Sequence, residues 1–129
     1  MRRIQELKDI EASLAYHRRA LDTERRNLAG LVADINTFEM DLDKLSSDVG
    51  LLKRSLTTIR SQAGSDSRGM AGDIEKSLND IQTYSKAAER RVSENREFKR
   101  DAELRVADME RNIVVLEAKA KELRQILHA

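Results

Sequence analysis

Apolar residues recur with a seven-residue period through both halves of the chain. In coiled-coil lettering, leucine, isoleucine and valine fill most a and d positions from Leu7 onward, with Ala63 at the last a position of the first half. Such a repeat places its apolar residues on one stripe of an α-helix. The same spacing returns in the second half, with smaller or polar residues in its middle. The pattern predicts an all-α fold with long helices over about residues 4–63 and 74–127.

A cluster of glycine, serine and aspartate residues separates the two periodic segments. Gly64 suits the left-handed position after a helix, and Asp73 suits the N-cap position before the next helix. We therefore predict a loop over residues 64–73 and a single domain over residues 1–129.

Charges at positions e and g predict how the two helices pair. In an antiparallel hairpin, joining the helices across the predicted loop places opposite charges next to each other on both edges of the seam, whereas parallel pairing of identical helices places mostly like charges together. The pairs at e are Glu11–Arg124, Arg18–Glu117, Arg25–Glu110, Glu39–Arg96 and Arg60–Glu75, and those at g include Asp34–Arg105 and Asp48–Arg91. These pairs predict an antiparallel coiled-coil hairpin. They would also form in a domain-swapped dimer, although the glycines of the loop favour the intramolecular turn.

Polar residues interrupt the predicted seam at four positions. These are His17, Glu24, Asn95 and Lys99. We expect the stems of Glu24 and Lys99 to pack while their charged groups reach water, and we expect the polar residues to specify register. The alternative is that a loosely packed middle, where Ala88 and Ala102 accompany Asn95 and Lys99, binds a partner helix.

Composition and charge exclude several classes of function. The 129 residues include no cysteine, proline or tryptophan, and 24 basic residues balance 23 acidic ones, giving a net charge of +1. We find no phosphate-binding loop, no nucleophile with a base, no metal-ligand spacing and no basic face for nucleic acid. We therefore expect no enzyme activity, cofactor, metal, small-molecule substrate, nucleic acid or membrane partner. With no signal peptide or membrane-spanning segment in the sequence, we expect a cytoplasmic protein or one within a cytoplasmically assembled complex.

Apolar residues outside the seam are the candidates for partner binding. Those near the termini are Ile4, Tyr16, Val114, Val115 and Ile126. A second candidate is the tip of the predicted loop, with Arg68 and Met70.

These features predict a structural or adaptor rod in a larger protein assembly, whose partners are another helical protein or further copies of the chain. One alternative is a chaperone-like or export-stalk-like module that binds a partner helix along the loosely packed middle. Another is a fibre or virion-type component made of extended chains. In architecture the pattern resembles stalk proteins of the flagellar and type III export apparatus and the arms of prefoldin subunits. The strand segments at the prefoldin turn have no counterpart in this sequence.

Overall fold

The computed structural model describes residues 2–62 and 64–128 and contains two long helices. Helix α1 spans Arg2–Arg60 and helix α2 spans Ser65–Leu127. The two helices pack against each other as an antiparallel hairpin, and no strand occurs within the described residues. The predicted helical hairpin is therefore confirmed. Ala63, the predicted last a position of α1, lies outside the described residues.

The chain divides into two compact units, of which the first combines Met1–Val32 with Glu97–Ala129. Its core is a cluster of four buried residues, all at position a: Leu14, Leu21, Ile113 and Ala120. Partly buried residues pack against this cluster: Leu7, Ile10, Val106, Met109 and Leu116. Every member of the core comes from the predicted apolar stripe, so burial of that stripe holds α1 and α2 together in this unit.

The second unit comprises Ala33–Arg96 and contains the turn. Its buried apolar residues are Ile35, Leu56, Leu78, Ala88 and Val92. All of these are a or d residues, and they come from both helices. The same periodic stripe therefore supplies the buried surface of this unit.

The turn is shorter than the sequence predicts. The N–H of Ser61 donates to the carbonyl oxygen of Thr57 at 3.2 Å, and the N–H of Gln62 donates to that of Ile59 at 3.0 Å. Gly64 has a φ of 155°, which an L side chain rarely adopts. The predicted loop over 64–73 is wrong beyond Gly64, because α2 begins at Ser65 and Asp73 lies inside it instead of capping it.

The seven-residue repeat explains the early start of α2. Continued toward the N-terminus from Ile74, it places Ala71 at position a and Ser67 at position d, and both are half-buried. Extending a helix that has already formed avoids the cost of nucleation, so each glycine costs only about 1 kcal/mol relative to alanine. Two glycines in this stretch were therefore insufficient to stop the helix.

Candidate interaction surfaces

One edge of the first unit carries a row of ion pairs between the helices. Arg18 Nη2 lies 3.3 Å from Glu117 Oε1, and Arg25 Nη2 lies 3.0 Å from Glu110 Oε1. The third pair joins Arg124 Nη2 to Glu11 Oε1 at 3.0 Å. The side chains are about half exposed, so each pair contributes only about 0.2–1 kcal/mol. Their shared spacing of one heptad nevertheless favours a single register.

In the second unit, Arg60 binds Glu75 and Arg96 binds Glu39 across the same e positions. Arg91 behaves differently from the prediction. Its guanidinium lies 5.9 Å from the centroid of the Phe38 ring. Among the residues that the structure describes, Arg91 forms no ion pair with Asp48, so that predicted pair is wrong. An aromatic face attracts a guanidinium by about 0.5–1 kcal/mol at an exposed site, which is enough to compete with an exposed ion pair.

Glu24 and Arg105 form an ion pair that the sequence analysis missed. Asp34 is the predicted partner of Arg105, but Arg105 Nε donates to Glu24 Oε1 instead. The Glu24 side chain is 16% exposed, so most of its surface is covered. A carboxylate at a d position, with an arginine nearby on the facing helix, was the available signal. Lys99 retains more exposure, at 42%, and its Nζ lies 3.8 Å from Glu103.

Replacing Arg105 with alanine is expected to lower the free energy of unfolding by about 1–3 kcal/mol, because the mostly covered Glu24 side chain loses its charged partner. The matched control is Arg124→Ala, whose partner Glu11 has a side chain 46% exposed. That variant should lose only about 0.2–1 kcal/mol. Urea unfolding followed by circular dichroism measures both. Equal losses would show that the Glu24–Arg105 pair has no special role.

The five apolar candidates near the termini are all exposed. Their exposed fractions are 47% for Ile4, 64% for Tyr16, 64% for Val114, 52% for Val115 and 41% for Ile126. The Tyr16 ring packs edge-on against His17, with centroids 5.5 Å apart. Val114 and Val115 instead border a shallow groove on α2 with Ala107, Glu110 and Arg111.

The groove belongs to a longer apolar surface on the outer face of α2, which we call the outer stripe. It comprises Leu104, Ala107, Val114, Val115 and Ala118, which occupy positions b, c and f. Leu104 is not among the residues predicted from the sequence, although it is 65% exposed. Helical spacing of three, four and seven residues from Leu104 to Ala118 was the signal that could have identified the surface.

The predicted loop-tip residues lie on a helix. Arg68 and Met70 are exposed in the first turns of α2, and Arg68 borders a shallow concavity together with Ile59 and Ala71. Their role in binding remains a prediction.

Within residues 2–62 and 64–128, no group of His, Cys, Asp or Glu side chains is placed to hold a metal ion. No helix in this part of the chain is long and apolar enough to cross a membrane. Comparison with protein-family models, curated proteins and solved structures finds no match to this chain.

Proposed function

We propose that the protein is a non-enzymatic structural or adaptor element that binds a helical protein partner through the outer stripe. The observation that carries the proposal is the exposure of this apolar surface on a helix whose inner stripe is already buried. Leu104 and Val114 are 65% and 64% exposed, whereas Ile113 on the inner face of the same helix is 7% exposed.

In an isolated hairpin, apolar side chains on the face of α2 opposite α1 stay in water, so they add nothing to the stability of the fold. Exposed apolar residues that occur singly need no special explanation. The outer stripe differs because its residues recur at the spacing of neighbouring turns. This spacing suits a partner helix, because a packed helix contacts apolar residues three, four and seven positions apart.

Charged residues lie at both ends of the outer stripe and supply a polar rim. Arg100 and Asp101 precede it, and Lys121 and Glu122 follow it. An apolar centre with a charged rim is the usual arrangement of a protein interface. The alternative in which a partner helix occupies the middle of the seam has less support, since Ala88 and Ala102 are already 5% and 1% exposed within their own units.

Site-specific photo-crosslinking in cells that produce the protein tests the proposal. A photoreactive amino acid at Val115 is expected to form a protein adduct of defined mass. The matched control places the same amino acid at Arg19, which is exposed on α1 and occupies an f position there. No adduct at Val115, or equal adducts at both positions, would contradict the proposal.

A further inference from the structure

We propose, building on this function, that the outer stripe binds a second copy of the chain, with the two α2 helices parallel and related by a twofold axis along them. The surface lies entirely within residues 97–128, so the first unit alone supplies it. The charges around the stripe favour a second copy of the chain as the partner, and they favour a parallel orientation of the two α2 helices.

The face of α2 that carries the outer stripe has a central column at position f and two flanking columns, b and c, of different charge. The central column contains Leu104, Arg111 and Ala118. The b column contains Arg100, Ala107, Val114 and Lys121, and the c column contains Asp101, Asp108, Val115 and Glu122. All charged residues in the b column are therefore basic, and all those in the c column are acidic.

Parallel packing about the central column brings the b column of one copy against the c column of the other. Arg100 then faces Asp101 of the second copy, and Lys121 faces Glu122 of the second copy. Between these pairs, Val114 meets Val115. The twofold axis repeats each contact on the other side of the interface, so pairs of opposite charge lie at both ends of the interface.

Antiparallel packing places equivalent columns together, as the e-to-e ion pairs of the hairpin illustrate. In that direction Arg100 would face Lys121, and Asp101 would face Glu122. Both are repulsive. Charge complementarity therefore favours the parallel arrangement.

Arg111 opposes the association, because its two copies meet at the central column. In each chain Asp108 forms an ion pair with Arg111, which offsets part of the repulsion. The interface is thus expected to be reversible. Arg111→Leu should tighten the dimer, because it removes the like charge and extends the apolar centre.

Sedimentation equilibrium of the full chain over a range of concentrations tests the proposal. The 14.7 kDa chain is expected to form a reversible dimer. Glu122→Lys should weaken the dimer about tenfold, because each of two attractive contacts becomes repulsive. Combining Lys121→Glu with Glu122→Lys should restore the wild-type dissociation constant, since the two columns exchange sign. Asp22→Lys is the control, because Asp22 is exposed on α1 and its reversal changes the net charge equally.

Three results would overturn the proposal: a monomer at every concentration, tighter association of Glu122→Lys as antiparallel packing requires, or no recovery in the double variant. The photo-crosslink at Val115 distinguishes a failure of self-association from a failure of the proposed function. An adduct with a different protein, combined with a monomeric chain, would retain the adaptor function and exclude self-association. Circular dichroism of each variant verifies that the helices persist.

Discussion

Replacing Leu14 with alanine is expected to lower the free energy of unfolding by about 2–5 kcal/mol, which is the usual cost of truncating a buried leucine. Leu14 is 3% exposed and belongs to the cluster with Leu21, Ile113 and Ala120. Truncation removes apolar contacts between the two helices and leaves a cavity in this cluster. Such a loss is a large fraction of the stability of a small protein.

Urea unfolding followed by the helical circular dichroism signal measures the effect of Leu14→Ala. Leu51→Ala is the control, because Leu51 is 57% exposed on the same helix, and it should change stability by less than about 0.5 kcal/mol. A similar loss in both variants would contradict the assignment of Leu14 to the core.

Enlarging Ala120 to leucine is the second large perturbation, with an expected loss of about 1–3 kcal/mol from overpacking. Ala120 is 0% exposed and lies in the same buried cluster. A leucine there requires the helices to separate locally, or requires neighbouring side chains to leave their preferred rotamers. The expected result is therefore destabilisation, even though leucine is more apolar than alanine.

Thermal unfolding compares Ala120→Leu with Ala12→Leu, whose site is exposed on α1. Leucine has nearly the same helix propensity as alanine, so the control should retain the wild-type melting temperature. An unchanged or higher melting temperature for Ala120→Leu would show that space remains beside this residue.

The seven-residue repeat predicted the hairpin because burial of the a and d residues dominates the energetics of both units. Leu14 and Leu21 are buried in the first unit, as are Leu56 and Leu78 in the second. The five cross-helix pairs at position e were also predictable, because antiparallel geometry brings these positions together once the register is fixed. The face of the helix on which each a, d or e residue lies follows from backbone geometry alone, so the repeat predicts both the buried residues and the pairs at position e.

Side-chain choices on the other edge were less predictable. Arg105 binds Glu24 and not the predicted Asp34. Arg91 lies over Phe38. The alternatives differ by less than about 1 kcal/mol, so heptad lettering does not distinguish them. Leu104 was overlooked because its position, f, is normally solvated in a hairpin, and its neighbours become significant only when the outer face is considered as a whole.

The early start of α2 has a consequence for protein engineering. Arg60, the last residue of α1, pairs with Glu75, although α2 already begins at Ser65. The first turns of α2 therefore extend about 15 Å beyond the Arg60–Glu75 pair. The connecting residues 61–64 supply neither charged group of this pair. A peptide inserted at Gln62 would add little closure entropy and leave the charged edge in register. The turn is thus a place to display an epitope or a fluorescent reporter while the alignment of the two helices is preserved.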